Sequence, residues 1–310
     1  MKTLICDHIH EDAMVYAKDN LDIVSPSEIR DIDYEDAEAV IVRIFPMSRE
    51  NIDRMPKLKI IAKHGVGVDN IDLEYAASKG ILVTNTPLAN VNSVAELAVA
   101  LTLACARKIT MSNNSIKKGL NQVAPFSLTG YELNNRVLGL VGLGRIGLSI
   151  AQKLKNGFNM QVAVYDPYAS KEICEKEGFT KYETLEELLT LSDVVNISVP
   201  LTKETENLIS AQELSKMKKN AILINTSRGR IIDEQALLAS LKEGHLFGAA
   251  IDAFAEEPVN RDNPLLSCDN FIGTPHNGAN TEDALIRMGK GAVNEVVRYI
   301  KNQEPFSKLV

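Results

Sequence analysis

VLGLVGLGRIGLSIAQKLKNGFNMQVAVYD, residues 137–166, decides how the rest of the chain reads. It opens on five apolar residues, 137–141, which predict a buried strand. Gly142-x-Gly144-x-x-Gly147 follows, then an amphipathic run, then a second apolar strand over 161–165 that ends at Asp166. The three glycines have separate tasks: a tight turn, close backbone approach to a pyrophosphate, and close packing of helix on strand. The helix that starts there presents unpaired N–H groups and a positive dipole end to phosphate. Glycine-rich turns are common, so the motif alone says little. Its place between strand and helix, with an acid closing the next strand 19 positions after Gly147 (166 − 147), makes it a dinucleotide-binding fingerprint.

Upstream of this stretch, short apolar runs alternate with helical patterns. Strands are predicted at residues 3–6, 39–42, 59–62 and 81–84, and a helix over 11–20. Such alternation builds a parallel sheet with helices on both faces, a complete small α/β unit ahead of the glycine-rich turn. The loop Gly65-Val66-Gly67-Val68-Asp69-Asn70 follows one strand's C-terminal end. Two glycines there suit close backbone approach to a small anion, and equally a tight turn into a helix starting near Ile71. Asn85-Thr86-Pro87 breaks the chain, and a helical pattern, apolar nearly all round, runs from Ser93 to about Ile109. A helix of that kind suits an interdomain core or a dimer interface. Residues 110–135 are polar, carry little periodicity, and are expected to cover surface.

Downstream, strands are predicted at 194–199, 221–225, 247–251 and 270–273. With 137–141 and 161–165 they make six, the count of the doubly wound dinucleotide fold. The last helix, 281–302, follows a second crossing and is expected to return to the N-terminal domain. The expected organisation is α/β throughout. Residues 94–280 form a Rossmann-like doubly wound parallel sheet, and residues 1–93 with 281–310 form a discontinuous second domain.

Ligands of open α/β sheets bind beyond the carboxyl ends of the strands. Those ends carry Asp166; Pro200-Leu201-Thr202; Thr226-Ser227-Arg228-Gly229; Asp252 with Glu256-Glu257-Pro258 beyond it; and Thr274-Pro275-His276. Asp166 suits the adenosine ribose hydroxyls and would repel a 2′-phosphate. No Arg or Lys occurs in the next four residues, so NAD is expected rather than NADP. Arg228 offers a planar fork for a carboxylate, or serves a structural ion pair. His276 titrates near neutrality and is suited to pass a proton to and from a carbonyl oxygen. Glu257 either holds and charges that ring or is a solvated loop acid.

Length and composition set the bounds. The 310 residues suffice for two domains, and 45% hydrophobic with 24% charged residues is ordinary for a globular protein. A formal net charge of −7 argues against a nucleic-acid partner. No apolar run has the length of a membrane span, and the N-terminus turns polar too soon for a secretory signal. Cys6, Cys105, Cys174 and Cys268 lie far apart without CxxC spacing, as reduced thiols of a cytoplasmic protein would. His8 and His10 bring no third ligand at metal spacing, so no metal is expected.

Seven motifs in order carry a resemblance: KHGVGVDNID (63–72), NTPLANVNSVAEL (85–97), LGLVGLGRIG (138–147), YDPY (165–168), INTSRGRIIDEQAL (224–237), GAAIDAFAEEP (248–258) and TPHNGA (274–279). They resemble the D-isomer specific 2-hydroxyacid dehydrogenase family, over residues 39–302. The resemblance implies a flavodoxin-like substrate domain hinged to a Rossmann-like NAD domain, with the active site in the cleft. It implies a catalytic set of Arg228, Glu257 and His276: His276 as acid/base, Glu257 as its charge partner, and Arg228 gripping the substrate's carboxylate and carbonyl oxygens. Val66 and Gly67 would take the carboxylate through their backbone, and Asp252 would orient the nicotinamide carboxamide. Arg145-Ile146 would lie under the pyrophosphate. Ser93, Val94, Asp166-Pro167, Val199-Pro200, Thr205, Thr226-Ser227 and Gly278-Ala279 would line the cofactor.

Within the family, GVGVDNID, TGYEL (129–133) and YDPY resemble the branch acting on 3-phosphoglycerate-like acids; a departure from its pattern is that no C-terminal regulatory domain is expected after the closing helix, as in short forms. Arg43 matches a phosphate-contacting arginine of that branch. Lys63 stands where a second arginine is usual, His64 where a small residue is, and Asn277 where an apolar one is. Residues 117–126 lack the tryptophan and arginine often found there. Arg43 and Lys63 suit a phosphate, or the second carboxylate or sulfonate of another acid. Other small anions (glyoxylate, hydroxypyruvate, lactate-like acids, phosphite) remain open as substrates, as does an NAD(H)-sensing interaction protein without turnover. A homodimer is expected, with no membrane and no nucleic-acid partner.

Overall fold

The computed structural model describes residues 1–119 and 126–310. The chain divides into two compact units, Met1–Ser93 with Ala279–Val310, and Val94–Gly278.

The first unit alternates strand and helix: β1 (Lys2–Ile5), α1 (Glu11–Asn20), β2 (Asp22–Val24), α2 (Asp31–Asp36), β3 (Ala39–Val42), α3 (Arg49–Asp53), β4 (Ile60–Lys63), α4 (Leu73–Ser78) and β5 (Leu82–Thr84). Its five described strands are parallel in the order β2-β1-β3-β4-β5, the flavodoxin-like winding. β3 and β4 are buried along their whole length, as continuous apolar runs in a parallel sheet must be. One face packs Ile5, Ile41, Ile60 and Ala62 against Ala292, Val293 and Val296 of the chain's last helix. The other face packs Leu4, Val40, Val42 and Ile61 with Met47, Ile52 and Met55. β2 is the strand that the sequence pattern did not reveal: three residues long, it starts on an exposed Asp22 and sits at the sheet edge. α1 starts at His10, whose ring accepts the Asp12 amide and so caps the helix.

In the second unit, α5 (Val91–Ala106), whose first three residues belong to the first unit, is followed by α6 (Ile109–Lys117), β6 (Val137–Val141), α7 (Arg145–Phe158), β7 (Gln161–Tyr165), α8 (Lys171–Glu177), β8 (Thr180–Lys181), α9 (Leu185–Leu191), β9 (Val194–Ile197), α10 (Ala211–Lys216), β10 (Ile222–Asn225), α11 (Glu234–Lys242), β11 (Gly248–Ile251) and β12 (Phe271–Gly273). The last helix, α12 (Glu282–Ile300), belongs to the first unit.

Among the described residues seven parallel strands lie in the order β12-β11-β10-β9-β6-β7-β8. The chain therefore winds outward one way through β7 and β8, and the other way from β9 to β12. The reversal falls beside β6, so the glycine-rich turn that ends β6 sits at the switch point where such sheets take their ligand. Six strands were expected. The seventh, β8, has two residues at an edge, neither of them buried, and no apolar pattern to announce it. The expected helix 93–109 ends at Ala106, where Lys108 adopts a left-handed backbone (φ 49°) and breaks α5 from α6. α6 occupies part of the polar stretch expected to cover surface, and none of its residues is buried. Residues 120–125 of that stretch, within the 117–126 segment noted for its missing tryptophan and arginine, lie outside the described residues. Among the described residues no helix is long and apolar enough to cross a membrane.

Candidate active site

Register brings the strand ends of the second unit level with one another. Val141 pairs with Tyr165 and with Ile197, Asn225 pairs with both Ile197 and Ile251, and Ile251 pairs with Gly273. The residues that follow these strands therefore share one rim.

At the switch point the Gly142 amide donates to the Tyr165 carbonyl at 2.9 Å. Gly142 has φ +95°, and a Cβ there would lie 2.6 Å from the Ser198 carbonyl oxygen and 2.7 Å from Val199. A Cβ on Gly147 would meet the Gly142 carbonyl oxygen at 2.3 Å, so the first and third glycines let α7 approach β6. Gly144 differs: a Cβ on it would meet nothing within 4 Å. It is the N-cap of the 14-residue α7 and has no side chain to cap the helix, so the first-turn N–H groups, with Arg145 and Ile146 among them, face that opening. Asp166 ties the two turns together. One carboxylate oxygen accepts the Leu143 amide at 2.8 Å, the other the amides of Tyr168 (2.8 Å) and Ala169 (3.2 Å). Pro167 and Tyr168 beside it are exposed. The Thr226 hydroxyl, on a residue 8% exposed, has no hydrogen-bond partner among the described residues. An opening above Gly144, an uncapped helix start, an acid beside it and an unsatisfied hydroxyl on the same rim fit a dinucleotide. Thr205 is turned inward on its own loop: its hydroxyl donates to the Pro200 carbonyl and accepts the Thr202 amide.

Arg228, Glu257 and His276 follow three neighbouring strands, β10, β11 and β12. Arg228 leaves a tight corner set by Asn225. The Asn225 carboxamide, fully buried, accepts from the Ser227 amide and hydroxyl and donates to the Arg228 carbonyl at 2.7 Å. Gly229 closes the corner against the Phe254–Ala255 backbone, where a Cβ would come within 1.9 Å of the Phe254 carbonyl carbon. Beyond Phe254 the chain reaches Glu257, whose Oε1 accepts the Phe254 amide at 3.1 Å. Glu257 Oε2 lies 2.8 Å from Nδ1 of His276. Half-burial pulls the Glu257 carboxyl up, but the His276 ring's hydrogen bond and charge outweigh it, and the group stays below its ordinary value. The hydrogen bond to Glu257 lifts His276 above its ordinary value against the opposing effect of burial. The Arg228 charge acts on both groups, lowering each.

His276 has φ +50°, a left-handed backbone uncommon outside glycine. Asp252, 1% exposed, holds it there. Its carboxylate accepts the Thr274 hydroxyl (2.6 Å), the Asn277 amide (2.6 Å) and the Gly278 amide (2.8 Å), while its carbonyl accepts the His276 amide at 2.7 Å. Expected beside the nicotinamide, Asp252 is first of all the brace of the loop that carries His276. A Cβ on Gly278 would crowd both Asp252 and Val94. Ala279 opens the returning segment of the first unit, in which Ser93 meets Thr281 hydroxyl to hydroxyl at 3.2 Å.

In the first unit, the 65–67 loop is pinned from one side. The Gly65 amide donates to the Thr86 hydroxyl, the Thr86 amide to the Gly65 carbonyl, and the Asn85 carboxamide to the Val66 carbonyl. Among the described residues the amides of Val66 and Gly67 meet no acceptor, so both remain as donors. The Arg43 guanidinium likewise has no hydrogen-bond or ion-pair partner there. Lys63, expected to face a substrate, is 7% exposed, and its ammonium donates to the Arg43 carbonyl (2.6 Å) and to Asn70 Oδ1. Asn225, Asn70, whose carboxamide donates to the Phe45 carbonyl, and Asp7, whose carboxylate accepts the Arg43, Ile44 and Phe45 amides, were not singled out by the sequence. They act through loop backbone, and asparagine or aspartate at a strand end is too common to stand out. Among the described residues no group of three or more His, Cys, Asp or Glu side chains is placed to hold a metal, and all four cysteines are free thiols.

Comparison with known proteins agrees with the geometry. Residues 99–278 match the model of the D-isomer specific 2-hydroxyacid dehydrogenase NAD-binding domain, so NAD is the cofactor of the second unit. A D-3-phosphoglycerate dehydrogenase of Methanocaldococcus jannaschii is 40% identical over 309 residues, covering 98% of this chain and 58% of that protein. The chain thus spans less than two thirds of that relative. A glyoxylate reductase of Korarchaeum cryptofilum is 39% identical over 262 residues, 84% of this chain and 78% of that protein. The crystal structure of the TT0316 protein from Thermus thermophilus superposes with a TM-score of 0.91 at 34% identity over the whole of both chains. A fingerprint at the switch point, a histidine–glutamate pair on the strand ends next to an arginine's, and relatives of this identity and coverage have one reading: the chain belongs to the D-isomer specific 2-hydroxyacid dehydrogenase family.

Proposed function

We propose that the chain is an NAD-dependent oxidoreductase that interconverts a 2-oxo acid and a D-2-hydroxy acid, with 3-phosphoglycerate-like acids as the favoured substrates. The observation that carries this reading is the 2.8 Å contact between His276 Nδ1 and Glu257 Oε2, one strand end away from Arg228. Bound NAD(H) supplies or accepts the hydride at the substrate's C2. The protonated His276 ring gives its Nε2 proton to the carbonyl oxygen during reduction and takes it back during oxidation. Glu257 stabilises the charged ring and fixes Nδ1–H as the donor toward itself. Arg228 pairs with the carboxylate and the carbonyl oxygen, and in the first unit the amides of Val66 and Gly67 are donors suited to a carboxylate. Asp166 accepts the adenosine ribose hydroxyls. Arg43 reads the distal phosphate, as the similarity to a phosphoglycerate dehydrogenase supports.

A second reading, supported by the similarity to a glyoxylate reductase, is a compact 2-oxo acid without a second anion. NADH absorbance followed over a panel of 2-oxo acids separates the two. The favoured reading expects the highest kcat/KM on 3-phosphohydroxypyruvate. A higher value on glyoxylate or a lactate-like acid replaces it with the second. Tight NADH binding without turnover on any acid assigns the chain to NAD(H) sensing instead. A cytoplasmic homodimer accompanies this reading. Exposed Ile109 and Ile116 on α6 give the dimer an apolar surface to cover, and sedimentation measures it.

A further inference from the structure

The loop after β3 carries Arg43, and three side chains from elsewhere in the first unit hold its backbone. The amides of Arg43, Ile44 and Phe45 all donate to one oxygen of Asp7, at 2.6, 3.1 and 3.1 Å. Consecutive amides converging on one anion form a nest, here filled by the protein's own carboxylate. From the other side the Lys63 ammonium donates to the Arg43 carbonyl at 2.6 Å, and the Asn70 carboxamide donates to the Phe45 carbonyl at 2.7 Å. Lys63 also donates to Asn70, joining those two into one unit. Ile44 at the tip of the loop is 77% exposed, so apolar packing does not order it. Five hydrogen bonds to three residues do.

We infer that Asp7, Lys63 and Asn70 are positioning residues that preset Arg43 to receive a second anionic group on the substrate. This rests on the proposed function and names the device behind its substrate preference. Lys63 then serves that anion through Arg43 and is not its ligand. The loop is ordered before substrate arrives, so its ordering cost does not weaken binding.

The test uses the whole chain with NADH and two acids, 3-phosphohydroxypyruvate and glyoxylate. Arg43→Ala is expected to raise KM for the phosphorylated acid roughly tenfold or more, the scale of a lost charged hydrogen bond. Asp7→Ala and Lys63→Met are expected to raise the same KM several-fold, leaving kcat and both glyoxylate constants nearly unchanged. In the Arg43→Ala background, Asp7→Ala and Lys63→Met are expected to add nothing further, because residues acting through one group are not additive. Amide hydrogen exchange at Ile44 and Phe45 should quicken in Asp7→Ala and return toward the parent rate in Asp7→Asn, which keeps one acceptor oxygen. Equal losses on both acids, additive losses in the double variants, no effect of Arg43→Ala, or unchanged exchange at 44 and 45 would each overturn the inference. If the parent chain turns over neither acid, the functional reading has failed, and the exchange rates alone decide whether the clamp exists.

Discussion

Nδ1 of His276 lies 2.8 Å from Oε2 of Glu257 and 3.1 Å from Oε1, so the carboxylate straddles the ring nitrogen. Glu257 Oε1 also accepts the Phe254 amide, which fixes the acid from behind. The contact leaves Nε2 as the ring nitrogen available for proton transfer. It also moves the two groups apart in pH, His276 up and Glu257 down.

The first prediction concerns pH. His276 titrates above its ordinary 6.5, so kcat/KM for 2-oxo acid reduction should stay level through pH 6.5 and fall at a higher pH. Glu257→Gln removes the largest cause of that shift, and the falling limb should move toward lower pH. For stability the signs differ between the partners. The Glu257 contribution is present above its ordinary 4.5 and is lost as pH falls through its lower folded value. The His276 contribution is complete below 6.5 and is lost as pH rises through its higher folded value. The pair is therefore fully formed between about pH 4.5 and 6.5, and the excess Tm of the parent over Glu257→Gln should be largest there. A pH–rate limb at the same place in both proteins would contradict the pairing.

Gly142 and Gly144 should separate folding from cofactor binding. Gly142→Ala puts a Cβ 2.6 Å from the Ser198 carbonyl oxygen on a backbone at φ +95°, and should cost about 1–3 kcal/mol of stability. Gly144 has an ordinary φ of −73° and open space beside it, so Gly144→Ala should leave Tm nearly unchanged. It should nevertheless weaken NADH binding several-fold, since the new methyl enters the space the pyrophosphate needs. Fluorescence titration with NADH and thermal melts of both variants check this.

Asp252→Ala would remove the carboxylate that accepts the Thr274 hydroxyl and the amides of Asn277 and Gly278. The Gly278 contact is buried, and losing the acceptor of a buried donor costs about 1–3 kcal/mol. Because His276 rides on that loop, kcat should fall by a larger factor than NADH affinity. The reverse ranking would return Asp252 to a direct role at the nicotinamide.

Asp166→Ala removes both the proposed ribose acceptor and the tie between the Leu143 and Tyr168 amides. NAD affinity should drop, and the ratio of kcat/KM for NADH over NADPH should narrow. An unchanged ratio would count against Asp166 as the discriminating acid.

Much of this arrangement is legible in residues 137–166. Strands β6 and β7 span residues 137–141 and 161–165 as their patterns predict, because their central residues are buried and a glycine and an acid bound them. The histidine and glutamate are legible as residue types at strand ends, but their contact is not. It depends on register between β11 and β12 and on Asp252, which forces His276 into a left-handed backbone. β2 and β8 escape sequence reading because edge strands of two or three residues bury too little to need an apolar pattern. α6 escapes it because none of its residues is buried, leaving no stripe to count. Lys63 shows the limit most clearly. Its sequence position promised a charge for the substrate, and its ammonium is instead committed to a backbone carbonyl and an asparagine.

The most direct measurement is the turnover of His276→Ala on the best acid of the panel, beside its NADH dissociation constant. The account predicts a loss in kcat of roughly 100- to 10,000-fold, the range for removing a general acid–base group, with NADH binding almost intact. Turnover comparable to the parent chain would contradict it.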